Sequence, residues 1–426
     1  MNITEQAIEL NRILENHSPS ILSLLSDTGK SAFFPKTGIL SQSAEAKGKR
    51  INATIGIALD DDGEPLPMPP VTENSKLNAR ETVLYSPSYG QKELRELWLQ
   101  RIKQNNPSLV SNQSKTSLPI CTNGLTGGLG IIAKLFVEPG EKLITPNRIW
   151  GNYKLVFQHA ELETFPVFDG EVFNVQGLRQ KLDSNPGKQI ILLNFPNNPT
   201  GYSPTSQEVE EIVSTIKQSA ESGNNILVIC DDAYFGLFFE DNIFKESIFS
   251  KLATLHENVL AVKLDGITKE MYAWGLRVGF ITYACKGMAI DVAKVLEDKT
   301  SGIVRGTVSN ICTHSQFLAL KALKNPELNE HEKQNYQTLK TRYDEVKRVL
   351  SNEKYKECFD ALPYNSGYFM CIQLKNADGE AVRKKLLDNH DTGVIAIGNL
   401  LRIAFSSVKT EMIEQLFENI YQACKI

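Results

Sequence analysis

A chain of 426 residues with 41% hydrophobic composition carries enough apolar sequence to bury one large core and a smaller lobe. Its formal net charge of −4 leaves no basic surface for nucleic acid, so a small molecule is the expected partner. Seven cysteines without a Cys-x-x-Cys pair, and six histidines (His17, His159, His256, His314, His331, His390) without ligand spacing, predict reduced thiols in a cytoplasmic protein and no metal site.

The start, Met1-Asn2-Ile3-Thr4-Glu5-Gln6, has no basic region followed by an apolar core. No later apolar run approaches about eighteen residues, so neither export nor membrane insertion is expected. From about Glu93 to Cys285 apolar runs alternate with helical patterns, which predicts a mainly parallel sheet covered on both faces.

The run Leu118 to Cys121 leads through Thr122-Asn123-Gly124-Leu125-Thr126-Gly127-Gly128 into an apolar helix, Leu129 to Val137. Gly124-Leu125-Thr126 opens that helix, so free N–H groups and the positive end of the macrodipole are available to an anion. Taken alone, such a turn is more often punctuation. A strand over Lys142 to Thr145 precedes Ile149-Trp150-Gly151-Asn152-Tyr153, and a strand over Gln189 to Leu193 precedes Asn194-Phe195-Pro196-Asn197-Asn198-Pro199-Thr200-Gly201-Tyr202. Thr205 and Glu208 form a capping box before the helix Val209 to Ala220, which Gly223 ends.

The strand Asn225 to Ile229 closes on Cys230-Asp231-Asp232-Ala233-Tyr234. Adjacent strand residues face opposite sides, so only one of Asp231 and Asp232 points into a common site. The strand Asn258 to Leu264 ends in Asp265-Gly266-Ile267-Thr268-Lys269, with Trp274-Gly275-Leu276-Arg277-Val278-Gly279 following. A lysine at the end of a buried strand is driven toward the neutral amine that attacks carbonyls, which makes Lys269 a Schiff-base candidate; a lone lysine is otherwise a solvated one. These segments all fall at carboxyl ends of strands, where open α/β sheets bind ligands.

After Thr307 the pattern changes to helices at Ser315 to Leu323 and Glu330 to Leu350, strands at Gly367 to Leu374 and Leu400 to Phe405, and a final helix, Glu411 to Cys424. Arg402 interrupts the last apolar run and must find an anion or snorkel to water.

The order, spacing and residue types of these segments resemble the pyridoxal-phosphate-dependent aminotransferases of fold type I, in the class I group that includes aspartate and aromatic aminotransferases. The likeness runs from about Ile51 to Phe405. It implies an α/β fold with a large domain, mainly parallel sheet sandwiched by helices, over residues 58–314. A smaller α+β domain would be assembled from residues 1–57 and 315–426. By the same resemblance Lys269 carries the cofactor as a Schiff base, and Asp231, favoured over Asp232 by the Asp-x-Ala-Tyr order, pairs with the pyridine nitrogen. A buried carboxylate there keeps the ring protonated and able to accept electrons. Asn198 and Tyr234 would bind the ring's phenolic oxygen, Trp150 would stack on the ring, and Arg277 with Gly124, Leu125 and Thr126 would hold the phosphate.

The resemblance also assigns Arg402 to the substrate α-carboxylate and puts Gly56, in Ile51-Asn52-Ala53-Thr54-Ile55-Gly56-Ile57, beside the substrate. Tyr85, in Tyr85-Ser86-Pro87-Ser88-Tyr89-Gly90, would reach the phosphate of a neighbouring subunit; Tyr89 is the competing tyrosine. Arg305, in Ser301-Gly302-Ile303-Val304-Arg305-Gly306-Thr307-Val308-Ser309-Asn310, would cross the interface to a side-chain carboxylate, or else serve an interface salt bridge or stand as a solvated charge. A homodimer with shared sites is implied. Two departures stand out: Tyr153 replaces a frequent histidine near Asp231, and Gly266 replaces a serine that donates to the phosphate, with Thr268 as an alternative donor. The implied reaction is transamination between aspartate or glutamate, and possibly aromatic amino acids, and a 2-oxo acid such as 2-oxoglutarate. A β-lyase or decarboxylase would use the same cofactor residues; a non-catalytic regulatory protein would need a DNA-binding module for which the chain has no spare segment.

Overall fold

The computed structural model describes residues 3–34, 38–73 and 76–425. Met1 and Asn2 of the expected leader-free start lie outside these. Seven strands build the main sheet: β1 (Ile120–Asn123), β2 (Lys142–Pro146), β3 (Glu161–Phe165), β4 (Lys188–Asn194), β5 (Asn225–Asp231), β6 (Val259–Gly266) and β7 (Val278–Ala284). Their order is β1-β7-β6-β5-β4-β2-β3. Strands β4, β5 and β6 are buried along almost their whole length, which is why they read as unbroken apolar runs.

All neighbours are parallel except β7, which runs antiparallel to both β1 and β6. That reversal has a consequence for the site. The amino end of β7 lies beside the carboxyl ends of β1 and β6, with Val278 opposite Asn123 and Gly279 opposite Gly266. Arg277, just before β7, therefore meets the same sheet edge as Lys269.

The helix Gly124–Phe136 starts a turn and a half before the expected Leu129, directly on the end of β1. The capping box at Thr205 and Glu208 forms as read and starts the helix Ser206–Glu221, and Gly223 follows it with φ 93°. Helices Thr313–Lys324, Leu328–Leu350 and Ile413–Cys424 start or end within about two residues of their predicted bounds.

A second sheet, β8 (Phe359–Ala361), β9 (Phe369–Leu374), β10 (Ile395–Ile397) and β11 (Leu400–Ala404), is antiparallel in the order β8-β9-β11-β10. N-terminal chain lies against it. Ile51 and Asn52 pair in parallel with Thr392 and Gly393, and Gln42 exchanges two hydrogen bonds with the backbone of Ala396, at 3.0 and 2.7 Å. The helix Ile39–Glu45 is thereby carried to the edge of the main sheet. No helix among the described residues is long and apolar enough to cross a membrane.

Candidate active site

A cavity of about 480 Å³ opens where the main sheet's edge meets the second sheet. Gly56, Leu125, Thr126, Trp150, Asn198, Asp231, Tyr234, Lys269, Arg277 and Arg402 all line it. Gly124 lies just beneath. Its N–H donates to the carbonyl of Arg277 at 3.0 Å, and a Cβ at this position would stand 2.6 Å from the Arg277 guanidinium. Two expected residues are elsewhere. Tyr85 is 90% exposed beside exposed Val83 and Leu84, and Arg305 is exposed in the last turn of the helix Ile290–Thr307, donating to the Ser309 hydroxyl at 2.8 Å.

Lys269 sits in the short helical turn Ile267–Glu270 that follows β6. Its amine lies 4.8 Å from the Tyr234 ring centre. Burial lowers it to about 8, with the positive Arg277 acting in the same direction and the Asp231 carboxylate opposing. The amine is thus drawn toward its neutral form.

Asp231 accepts the Tyr153 hydroxyl at 2.5 Å and the Ala233 N–H at 3.1 Å. Burial raises its carboxyl, and Tyr153 and Lys269 pull it back. Tyr153 therefore takes up the place next to Asp231, and the same contact with burial pushes the Tyr153 phenol well up. Asp232, the rival, faces away from the cavity and is paired with Lys263. Trp150 stands edge-on to Tyr153, ring centres 5.6 Å apart.

Opposite Lys269, Arg402 is 3% exposed, lies over the Phe369 ring at 4.3 Å, and donates one Nη2 bond to the carbonyl of Thr54 at 3.1 Å. Its Nε has no hydrogen bond among the described residues. A buried guanidinium so sparsely answered, in a cavity wall, calls for an anion.

The Gly266 departure has a steric cause. A Cβ there would meet the carbonyl oxygen of Val278 at 2.6 Å and the Cα of Gly279 at 2.7 Å, because the reversed β7 runs alongside. Serine does not fit. The buried Thr268 hydroxyl lines the cavity and has no partner among the described residues, so a donor is available two positions on. Arg277 holds φ 55°, a left-handed conformation uncommon for a side-chain-bearing residue and often met at binding sites.

Sequence reasoning missed Ile39, Leu40 and Ser43 from the helix Ile39–Glu45, together with Ile55, Ala233 and Phe369. Asn194 was part of the quoted Asn-Phe-Pro-Asn-Asn motif without a role; its side-chain oxygen accepts the Asn198 N–H at 2.8 Å and its amide donates to the Asp231 carbonyl at 2.8 Å, tying two motifs together.

Residues 49–420 match the family model for aminotransferase class I and II. The chain belongs to this family. It is a transaminase with the fold of this family's solved members. Against the cytoplasmic aspartate aminotransferase of Caenorhabditis elegans it is 22% identical over 391 residues, covering 88% of this chain and 92% of the relative. An aminotransferase from Anaerococcus prevotii superposes with a TM-score of 0.81 at 23% identity, covering 95% of this chain and all of that one. A kynurenine aminotransferase from Pyrococcus horikoshii superposes with a TM-score of 0.78 at 15% identity, covering 95% and 98% of the two chains.

Proposed function

We propose that this transaminase holds pyridoxal 5'-phosphate in the cavity and moves an amino group between an amino acid and a 2-oxo acid. The observation that supports this most directly is the convergence of Lys269, its amine drawn toward neutrality, on the same small cavity as Asp231 and Arg402, whose Nε has no partner among the described residues. The residues fit the cofactor. Asn123 leaves the first turn of the helix Gly124–Phe136 without a side-chain cap, so N–H groups there, the Thr268 hydroxyl and Arg277 form a phosphate cradle that a side chain at position 124 would fill.

When bound, pyridoxal phosphate supplies a ring that accepts the electron pair released at the substrate's α-carbon. Asp231, oriented by Tyr153 and Ala233, would hold a proton on the ring nitrogen. Asn198 and Tyr234 would bind the ring's phenolic oxygen, and Trp150 would stack on the ring. The Lys269 amine would take the substrate's α-proton and return it two atoms along, at the carbon on the far side of the amino nitrogen. Arg402 grips the α-carboxylate with its fork beside Gly56, fixing which α-bond faces Lys269.

In this reading a large domain of residues 58–314 carries the cofactor and a smaller one, from 1–57 and 315–426, carries Arg402. A second copy of the chain supplies Tyr85 to the phosphate and Arg305 to the substrate. Tyr89 is engaged within its own chain, donating to Asp298 at 2.6 Å, which favours Tyr85 as the residue that reaches out. Aspartate or glutamate with 2-oxoglutarate is the leading pair, in line with the aspartate aminotransferases among the relatives. The apolar wall of Ile39, Leu40 and Ile55 favours aromatic substrates as a second class. A cytosolic setting agrees with seven unpaired cysteines and with relatives described as cytoplasmic.

The test is a single half-reaction. Cofactor-loaded protein without acceptor is given aspartate, glutamate, tyrosine or alanine, and the 2-oxo acid released is measured. One equivalent per site from a dicarboxylic or aromatic substrate supports the reading; release of CO2 or of free ammonia instead would replace it with decarboxylation or elimination.

A further inference from the structure

Behind the lysine-bearing turn lies a set of buried ions for which the transamination scheme has no use. Glu270 follows Lys269 directly, and its side chain is only 5% exposed. It lines a second cavity, together with Arg101 and Glu332, and Lys269 stands in the wall between this cavity and the first. Arg101, on the helix Lys92–Asn105, places Nε 3.2 Å from Glu270 and turns the other edge of its fork to Glu332, with Nη2 3.0 Å and Nη1 3.4 Å from the two carboxylate oxygens. Its guanidinium lies over the Trp98 ring at 5.7 Å, and Trp98 is itself stacked on Phe280 and donates to Asp265 at 2.9 Å.

Glu332 stands near the start of the 23-residue helix Leu328–Leu350. Farther along that helix, fully buried Arg342 donates to the carbonyls of Leu59 at 2.7 Å and Ser406 at 2.6 Å. Leu59 lies three residues from Gly56, and Ser406 four residues from Arg402. One helix is thus bonded at one end to the Lys269 turn, through Arg101, and farther on to the two segments that present Gly56 and Arg402.

We propose that Arg101 is a positioning residue for Lys269: by gripping Glu270 and Glu332 together, it sets the lysine-bearing turn in register with the helix that locates Arg402. The inference rests on Lys269 and Arg402 acting on one substrate. Two carboxylates sharing a mostly buried cation are a poor way to gain stability, since apolar residues of equal volume serve as well. They are a good way to fix direction, because the guanidinium donates through Nε to one carboxylate and through Nη1 to the other, with Nη2 also within ion-pair distance of Glu332. Lysine would keep the charge and lose the two-way grip.

The test uses full-length Arg101→Lys and Glu332→Gln, the second leaving the Arg101–Glu270 pair intact should the first fail to fold. In cofactor-loaded protein both variants should lose roughly tenfold to a hundredfold in kcat, the cost of about an ångström of misplacement, while KM for the amino acid changes much less. In cofactor-free protein, the pH midpoint for acylation of Lys269 by acetic anhydride, read by mass spectrometry, should rise toward that of an ordinary lysine as the turn loosens. A lower melting temperature with kcat and midpoint both at wild-type values in the folded variants would overturn the proposal. If wild-type protein does not transaminate, the acylation midpoint still decides whether Arg101 positions Lys269, so failure of the clamp is told apart from failure of the assigned reaction.

Discussion

Asp231 and Asp232 are neighbours in the chain and serve opposite sides of the sheet's edge. Asp231 faces the cavity and accepts the Tyr153 hydroxyl, whereas Asp232 points behind it, paired with Lys263 and accepting the Ser247 hydroxyl at 2.6 Å. The alternation of a strand end divides one dipeptide between chemistry and support.

Substituting each should separate these roles. Asp231→Asn should fold and lose about 10²–10⁴ in kcat, the scale of a lost proton-holding group. Asp232→Asn should leave the folded enzyme near wild-type turnover. It should lose up to about 3–5 kcal/mol in urea unfolding, because Lys263 stays buried with Asp265, 3.3 Å away, as its remaining carboxylate. Equal kinetic damage from both would refute the division.

Borohydride reduction of cofactor-loaded protein should fix the cofactor on the peptide containing Lys269. Lys263 is held protonated: burial opposes its charge, but Asp232 and Asp265 outweigh that and raise it. It should remain unlabelled. Lys269→Ala should still bind the cofactor, loosely, through Asp231, Arg277 and the helix end, without turnover. Label recovered on Lys263 would move the chemistry to the wrong side of the sheet.

The lysine's acidity gives a signed prediction. With an amine lowered to about 8 chiefly by burial, acylation of Lys269 in the cofactor-free protein should reach half its maximal rate near pH 8, well below the range of an exposed lysine. Arg277→Gln removes a like charge and should move the midpoint up. Asp231→Asn removes the opposite charge and should move it down. Mass spectrometry of the labelled peptide across pH reads all three; shifts of the reverse sign would mean that other charges set the amine.

Strands β4, β5 and β6 were legible because burial on both faces makes them continuous apolar runs, and their ends deliver Asn194, Asp231 and Lys269 as the motifs suggest. What was not legible depends on distant chain. The reversal of β7, which both places Arg277 and excludes a side chain at Gly266, has no local signature. Tyr153 meets Asp231 across 78 residues, and Gln42 meets Ala396 across 354. The latter contact carries Ile39 and Leu40 into the cavity, so this part of its apolar wall could not be read from the helix Ile39–Glu45 alone.

The exposed Val83, Leu84 and Tyr85 suggest how the sites are completed. A dimer that buries this strip would bring Tyr85 to a second copy's cavity. Tyr85→Ala/Arg305→Ala on one chain and Lys269→Ala on the other should each be inactive, and should regain activity when mixed and reassembled. The native site so formed takes Lys269 from one copy and Tyr85 with Arg305 from the other. Mixed dimers isolated by differential tags and still inactive would show that each site is built from one chain.

Arg305 is proposed to carry the choice of substrate. Within its own chain it is exposed, bonded to Ser309, and absent from the cavity, where the cations among the described residues are Lys269, Arg277 and Arg402. If a second copy brings it to the apolar end near Ile39 and Leu40, it would meet a substrate's distal carboxylate away from water. Arg305→Ala should then cost roughly 2–5 kcal/mol in kcat/KM for aspartate and glutamate, the range for one half of a desolvated charge pair. Tyrosine and alanine should change little, since the apolar wall that receives their side chains is untouched. Arg305→Asp should go further and favour cationic amino acids, because the new carboxylate repels the old substrate. The comparison is kcat/KM for the four amino acids in wild type and both variants. Equal losses across all four would assign Arg305 to the contact between copies and leave Ile39, Leu40 and Ile55 as the residues that select an apolar substrate.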